Sequence, residues 1–228
     1  MIQTWIGDVT PLLDEGIYQG YYDRLPQWRK EKADKLKNLK RAQSAGAWIL
    51  YQKMQERYGF SDCAVYNLSH SGRYAMCAAD VRGNNGGRKN GDFVKSGGVC
   101  AYDKGMAVKL GCDVEMIKEV PPGVAKRFFC PSEKAYIMGQ ETEERRAEAF
   151  YRYWVLKESF VKAVREGLRL ELQSFEIRIE KGSPVLIRQP EAYPETYYYH
   201  EYELEAGDAK CAVCSTSPEF SELRIIEL

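Results

Sequence analysis

The chain has 228 residues, enough for one large domain or two small ones with real cores. Its 33 basic and 33 acidic residues balance, so no overall positive field would attract nucleic acid. No apolar run is long enough to cross a membrane, and the first residues lack a basic region followed by an apolar stretch. We therefore expect a cytoplasmic protein with neither a nucleic-acid nor a membrane partner.

The first half predicts one long helix followed by a hairpin. Apolar residues recur at spacings of three and four over residues 26–58, and Gly59 follows as a stop signal. Residues 64–72 and 73–80 predict two antiparallel strands. Residues 82–104 are rich in Gly, Asn, Lys and Arg, which predicts an exposed, mobile loop inserted between the two halves.

The second half predicts a strand that ends at Glu115, short helices over 124–129 and from Pro131, and a long helix over 141–167. Further strands are expected at 174–180, 184–188, 196–204 and 210–215. The sequence of each half thus predicts a long helix and then antiparallel strands. The last strand of each half is rich in small residues and contains Cys. We expect an α+β fold that is a pseudo-dimer of two similar subdomains, 1–108 and 109–228, each a long helix packed on an antiparallel sheet.

The seven cysteines are an odd number, which argues against a closed disulfide framework. Cys211 and Cys214 form a Cys-x-x-Cys pair inside a predicted strand, where their side chains point to opposite faces. That geometry does not suit one metal ion. We interpret them as reduced, half-buried strand cysteines.

Two acidic segments far apart in the chain predict a shared site. Asp113 and Glu115 are two residues apart at the end of a strand, so their carboxylates share one face within about 7 Å. Two carboxylates this close repel each other unless a cation lies between them. A solvent-facing strand edge is the alternative interpretation.

Glu158 lies in the segment 154–162, which also supplies Lys157 and Lys162. It shares an apolar helix stripe with Trp154 and Val161, and an uncompensated buried carboxylate is costly. An ordinary helix pair with Lys162 is one solution, and a metal ion shared with the two strand carboxylates is another. Three carboxylates suit Mg²⁺, a hard cation that prefers oxygen ligands, whereas only two histidines argue against His-rich zinc catalysis.

Two further segments offer groups that bind anions. Residues 67–72, Asn-Leu-Ser-His-Ser-Gly, place Ser69 and His70 in one turn, where they either form an ordinary turn or contact phosphate oxygens. Residues 29–41 carry seven basic and two acidic residues. A solvated helix face and a site for a polyanionic small ligand are both consistent with this run.

With these segments in order, the chain resembles the surfactin-synthetase-activating type of 4′-phosphopantetheinyl transferase. The matching segments run over most of residues 26–218. They are 67–72, Asn-Leu-Ser-His-Ser-Gly; 110–115, Leu-Gly-Cys-Asp-Val-Glu; 125–129, Ala-Lys-Arg-Phe-Phe, with Ser132 and Glu133; 154–162, Trp-Val-Leu-Lys-Glu-Ser-Phe-Val-Lys; and 167–168, Gly-Leu.

This resemblance implies transfer of the phosphopantetheine arm of coenzyme A to a serine of an apo acyl or peptidyl carrier protein, with release of 3′,5′-ADP. It implies a monomer in which Asp113, Glu115 and Glu158 hold Mg²⁺ on the coenzyme A diphosphate. Asp113, Glu158 and Lys162 are the implied catalytic residues, with Glu158 assisting deprotonation of the serine and Lys162 stabilising developing charge. The implied coenzyme contacts are Arg29, Lys32, Ser44, Ser69, His70 and Asp113.

The sequence departs from the family pattern in two places. The Gly-Lys-Pro segment that usually precedes the Asn-x-Ser-His-Ser motif is absent, and residues 82–104 form an insertion. Lys89, Lys95 or Lys104 of that insertion are candidates to replace the missing lysine contact. The alternative function is a non-catalytic module of the same fold that binds coenzyme A or a carrier protein.

Overall fold

The computed structural model describes residues 1–60, 64–82, 108–120 and 123–228. The chain divides into two compact units, Met1–Val108 with Glu219–Leu228, and Lys109–Pro218. The insertion predicted at 82–104, with its candidate lysines, falls almost entirely outside the described residues. Among the described residues no helix is both long and apolar enough to cross a membrane.

In the first unit, a single helix over residues 26–58 is the wrong prediction. The structure has two helices in this range: one ends at Ala33, and the next begins at Asn38, after residues 34–37. That segment, Asp-Lys-Leu-Lys, offers one apolar side chain and so gives a continuous helix little to bury. Asn38 starts the second helix with a φ of 47°, outside the helical region. The helices of this unit are α1 (Glu15–Tyr22), α2 (Gln27–Ala33) and α3 (Asn38–Tyr58).

The strands of the first unit are β1 (Ile2–Asp8), β2 (Tyr66–Ser71), β3 (Tyr74–Asp80) and β9 (Phe220–Ile225). Their order in the sheet is β2-β3-β1-β9. The predicted hairpin is confirmed, because β2 and β3 pair antiparallel from Tyr66 opposite Ala79 to Ser71 opposite Tyr74. β9 pairs parallel with β1, so the sheet is mixed and not wholly antiparallel.

The pairing of β9 also corrects the predicted division of the chain. A second subdomain that continues to residue 228 assigns β9 to the wrong unit, because this strand completes the sheet of the first unit. Ile2 and Ile6 of β1, both buried, face Phe220 and Ile225 of β9 across that parallel pairing. The helix α3 packs on this sheet and supplies a run of buried residues from Ala42 to Tyr51.

The second unit contains α4 (Val124–Phe128), α5 (Pro131–Met138) and the long α6 (Glu143–Val164). Its main sheet has the order β4-β8-β7, formed by β4 (Leu110–Met116), β7 (Tyr198–Tyr202) and β8 (Ala209–Ser215). A separate two-stranded sheet is formed by β5 (Glu176–Glu180) and β6 (Ser183–Arg188).

The predicted long helix over 141–167 is therefore confirmed, with its ends moved inward. Thr142 caps its start by accepting a hydrogen bond from the Arg145 main-chain N–H, and Arg165 ends it in the left-handed conformation. The central strand β8 is buried on both faces. Cys211 and Cys214 lie in it as free thiols and are fully buried, where a half-buried position was expected.

Candidate active site

The helix α6 lies unusually close to strand β4 at one point, Gly111. A Cβ atom on Gly111 would lie 2.1 Å from the carbonyl oxygen of Ser159 and 2.4 Å from the main-chain nitrogen of Ala163. Both atoms belong to the helix backbone, so only glycine allows this approach. The contact brings the side chains at the outer end of β4 next to those of the last turns of α6.

Asp113 and Lys162 form an ion pair at this crossing. The Lys162 Nζ donates to Asp113 Oδ1 at 2.7 Å and to the main-chain oxygen of Cys112 at 3.0 Å. Asp113 is buried and Lys162 is partly buried. Burial lowers the pKa of Lys162, but the negative charge of Asp113 outweighs this and the net pKa is raised, so the ammonium stays protonated at neutral pH.

Glu158 lies in the field of both strand carboxylates. Burial raises the pKa of its carboxyl, the negative charge of Asp113 raises it further, and Glu115 adds in the same direction. Lys162 opposes these effects. Burial raises the pKa of Tyr151, two helical turns before Glu158 on α6, and the negative charge of Glu115 adds to this. The structure therefore places all four of the residues predicted for this site in one cluster, with three negative charges against one positive.

A metal ion fits the chemistry of this cluster. Carboxylate oxygens are the ligands Mg²⁺ prefers. Burial and repulsion from the two strand carboxylates together raise the pKa of Glu158, and a divalent cation would relieve the repulsion. In the described part of the chain, however, no group of three or more His, Cys, Asp or Glu side chains has an arrangement that could hold a metal ion. The ammonium of Lys162 already contacts one oxygen of Asp113.

Lys157 does not belong to this cluster, although the sequence suggested two lysines in the site. It is fully buried and forms an ion pair of 3.0 Å with Glu133, which is also fully buried. Its other two protons go to the main-chain oxygens of Leu172, at 2.7 Å, and Phe175, at 2.9 Å. All three donors of the ammonium are satisfied inside the protein, so Lys157 is a structural residue.

Glu133 belongs to one of the segments that match the family, but the sequence did not indicate its role. One carboxylate oxygen accepts the main-chain N–H of Cys130 at 2.8 Å, and the other accepts that of Ile177 at 2.9 Å. The pair with Lys157 therefore joins α5, α6 and β5. The sequence contained an indication that Lys157 faces the core, because the apolar residues Tyr153, Phe160 and Val161 flank it at helical spacing. All three are buried in the structure.

The first unit holds the predicted anion contacts of the basic segment. Arg29 is 8% exposed, and Lys32 lies one turn later on α2 and is exposed. Burial lowers the pKa of Arg29. Desolvation lowers the pKa of Lys32 as well, and the positive charge of Arg29 adds to this. The positive charge of Arg29 thus disfavours the charged form of Lys32, which lies close to it on the same helix.

Ser44 and the β2 residues lie in the same unit. Ser44 is buried on α3, and its neighbour Gln43 donates to the main-chain oxygen of Gly72 at 2.7 Å, which ties the helix to the β2–β3 turn. Ser69 and His70, which were expected in the turn, both lie in the strand β2 just before it, because they pair with Met76 and Ala75 of β3. Ser69 is buried and His70 is exposed. The predicted site residues thus form two sets, one inside each unit.

Comparison with known families adds information on the segments that carry these residues. The family model described as "4'-phosphopantetheinyl transferase superfamily" matches residues 109–214, nearly the whole second unit. Over this range the chain is similar to members of that superfamily. The matched range contains the complete cluster of Asp113, Glu115, Glu158 and Lys162.

Individual members of the superfamily show similarity beyond that range. The chain is 31% identical to the 4′-phosphopantetheinyl transferase Sfp of Bacillus subtilis over 159 residues, 70% of this chain and 58% of that protein. It is 26% identical to the 4′-phosphopantetheinyl transferase gsp of Aneurinibacillus migulanus over 181 residues, 79% of this chain and 64% of that protein. The chain thus spans about six-tenths of the length of these superfamily members.

A solved structure with some similarity is the holo-[acyl-carrier-protein] synthase of Thermotoga maritima. It is 25% identical and covers 47% of this chain and 61% of its own, with a TM-score of 0.41.

Proposed function

We propose that this protein transfers the 4′-phosphopantetheine arm of coenzyme A to a serine of an apo acyl or peptidyl carrier protein and releases 3′,5′-ADP. The match of residues 109–214 to the 4′-phosphopantetheinyl transferase superfamily and the similarity to Sfp support this activity. The structural observation that carries the proposal is the ion pair between Lys162 and Asp113 at 2.7 Å, beside a Glu158 carboxyl that responds to both strand carboxylates.

In the proposed reaction the serine hydroxyl oxygen attacks the phosphorus that carries the pantetheine arm. A new oxygen–phosphorus bond forms, and the bond from that phosphorus to the bridging oxygen of the diphosphate breaks. The serine proton passes to Glu158, directly or through a water molecule, and the bridging oxygen leaves on 3′,5′-ADP. The ammonium of Lys162 is in place to stabilise the negative charge that develops on the phosphoryl and leaving oxygens.

Asp113, Glu115 and Glu158 would hold Mg²⁺. When bound, the ion supplies positive charge that neutralises the diphosphate and polarises its oxygens. Asp113 has a second role in the proposal, because its carboxylate holds Lys162 in position from the strand side. Arg29, Lys32, Ser44, Ser69 and His70 would bind the nucleotide end of coenzyme A.

We further propose that the chain is a pseudo-dimer of two similar subdomains. The order β2-β3-β1 with α3 between β1 and β2 in the chain corresponds to the order β7-β8-β4 with α6 between β4 and β7. This correspondence supports a repeated α+β unit, in which β9 is an addition to the first copy. The proposal includes action as a monomer in the cytoplasm, on coenzyme A and a carrier protein, with no nucleic-acid or membrane partner.

The test is a transfer reaction with purified protein, coenzyme A, Mg²⁺ and a panel of apo-carrier proteins, followed by mass spectrometry of the carriers. The proposal expects the mass of one phosphopantetheine arm to be added to the carrier serine. Glu158→Gln should abolish this, whereas Glu148→Gln, on the same helix and paired with Lys210 at the surface, should not. No modification of any carrier by the wild-type protein would contradict the transfer activity.

A non-catalytic module that binds coenzyme A or a carrier protein is the second candidate, and the same reaction separates the two. Binding of coenzyme A without any mass increase on the carriers would favour the binding module. The pairing of Lys162 with Asp113 favours the enzyme, because a binding module has no need for a cation held next to three carboxylates.

A further inference from the structure

Arg29 is a buried cation, and the described residues supply no carboxylate to neutralise it. Its side chain is 8% exposed, and in the described structure no acidic group forms an ion pair with it. The group that favours its charged form electrostatically is Tyr66, a phenol and not a carboxylate. Buried charges are normally paired, so an unpaired one needs another source of stabilisation.

Two tryptophan rings provide that stabilisation. The guanidinium carbon of Arg29 lies 4.8 Å from the ring centroid of Trp28 and 4.3 Å from that of Trp48. The two rings meet edge to face, with centroids 5.0 Å apart and an interplanar angle of 77°. Aromatic faces attract a guanidinium through their quadrupole without using its N–H donors. The contact therefore orients Arg29 and leaves its hydrogen bonds available.

Arg29 and the two tryptophan rings that enclose it, Trp28 and Trp48, are called the Trp clamp below. Some hydrogen-bond donors of this clamp have no acceptor among the described residues. The Nε of Arg29 and the Nε1 of Trp48 are both buried, and neither has a hydrogen-bond partner among the residues that the structure describes. Buried donors are nearly always satisfied in native proteins, so two adjacent ones point to an acceptor-rich ligand. Lys32, one helical turn from Arg29, adds a second positive charge at the same place.

The position of Trp28 fits a role beyond core packing. Its side chain is 47% exposed, so it adds little to the core, whereas Trp48 is buried and fixed against Tyr51 and Tyr66, with centroids 4.8 and 6.4 Å away. One wall of the clamp is thus rigid and the other is an exposed indole that covers the guanidinium. An exposed indole over a cation is the arrangement in which the ring's interaction with that cation is its main contact.

We propose that Trp28 and Trp48 are positioning residues that hold the guanidinium of Arg29 ready to bind the ribose 3′-phosphate of the nucleotide substrate. This inference rests on the proposed function for the identity of the anion. It predicts that the tryptophans contribute to discrimination between 3′-phosphorylated and non-phosphorylated nucleotides, and that they do so only through Arg29.

The experiment measures the affinity of the full-length protein for 3′,5′-ADP and for 5′-AMP by calorimetry. Trp28→Ala should weaken 3′,5′-ADP binding about 3- to 10-fold and leave 5′-AMP binding unchanged, since only the former carries the 3′-phosphate. Trp28→Phe should restore most of the loss because it keeps an aromatic face. Ile17→Ala, at a similarly exposed apolar position of the same unit (45%), should change neither affinity.

A double-mutant cycle tests whether the tryptophan acts through the arginine. In an Arg29→Ala background, Trp28→Ala should have no further effect on 3′,5′-ADP binding, because the group it positions is gone. Additive losses, an equal loss for both nucleotides, or a wild type that does not distinguish them would overturn the inference. These binding results do not depend on the transfer reaction, so failure of the proposed activity alone would be recognised separately by unmodified carrier proteins.

Discussion

A Cβ atom on Gly111 would lie 2.1 Å from the carbonyl oxygen of Ser159, a distance that real Cβ atoms essentially never show. The relationship links fold and site, because Lys162 and Glu158 lie on the same stretch of α6 as Ser159. Any side chain at position 111 would push the helix away from β4 and lengthen the bond between Lys162 and Asp113, which now measures 2.7 Å.

We therefore expect Gly111→Ala to lower the free energy of unfolding by about 3 kcal/mol or more, since the obstructing atoms are backbone and cannot rotate away. Thermal or denaturant unfolding measures the effect. Gly20→Ala is the matched control, because a Cβ there meets nothing within 4 Å and alanine is the better helix former in α1. Equal stability of the two variants would show that β4 and α6 are less closely packed than described.

The second prediction concerns the buried pair of Lys157 and Glu133. Lys157→Met should lower the free energy of unfolding by about 3–5 kcal/mol, because it leaves the Glu133 carboxylate buried without a counter-ion. Adding Glu133→Gln should recover part of this loss, since the charge is removed while an amide oxygen still accepts from the backbone. Arg145→Met, on the exposed face of the same helix, is the control. A harmless Lys157→Met would contradict the structural role of this lysine.

Much of the fold follows from local patterns in the sequence. The hairpin of β2 and β3 and the long helix α6 were predicted because each is defined by residues close in the chain. The pairing of β1 with β9 was not predicted. Ile2 and Phe220 are separated by more than two hundred residues, and the local periodicity of a strand does not indicate which strand it pairs with. The break between α2 and α3 was missed because Leu36 continues the apolar spacing across it.

The candidate site shows the same limit at the level of single residues. Asp113 and Glu115 could be placed on one face of β4, and Glu158 was assigned to the site, because side-chain periodicity is a local property. Lys157 was assigned to the wrong environment. It precedes Glu158 by one residue, about 100° around the helix, and its partner Glu133 lies on another helix. The spacing of charges did not reveal which lysine faced the core.

The third prediction is a pH dependence that arises from Asp80. Burial raises the pKa of this carboxyl, but the Arg82 guanidinium, bonded to both of its oxygens at 2.9 and 3.0 Å, outweighs burial, and the net pKa is below the usual value. A lowered carboxyl pKa stabilises the fold above the unfolded value, near pH 4, and this stabilisation is lost as the pH falls through the folded pKa.

Asp80→Asn should therefore be less stable than the wild type by about 1 kcal/mol at pH 7, a small value because Arg82 is partly exposed, and the difference should vanish towards pH 2. Thermal unfolding over this pH range measures it. Glu56→Gln, at an exposed position of α3, should show no such convergence. A stability difference that stays constant from pH 7 to pH 2 would assign the effect of Asp80 to packing and not to charge.

The fourth prediction separates two carboxylates of the candidate active site by the sign of their effect on stability. Asp113→Asn should lower the unfolding free energy of the metal-free protein by about 1.5–3 kcal/mol, because Lys162 loses its charged hydrogen-bond acceptor. Glu158→Gln should instead raise the melting temperature, because it removes a charge that Asp113 and Glu115 repel. If both variants were destabilised alike, Glu158 would have to be paired more favourably than the structure indicates.

The last prediction joins that repulsion to the proposed metal. If Mg²⁺ binds among Asp113, Glu115 and Glu158, it binds the folded state alone, so adding it should raise the melting temperature of the wild type in a concentration-dependent way. Glu158→Gln should lose most of this rise while remaining folded, since one of three anionic ligands is gone. Chelation should abolish carrier modification, and Mn²⁺, which accepts the same oxygen ligands, should partly restore it. A wild type that modifies carriers at full rate in excess chelator, with no thermal response to Mg²⁺, would show that Lys162 alone balances the three carboxylates and that the reaction needs no metal at this site.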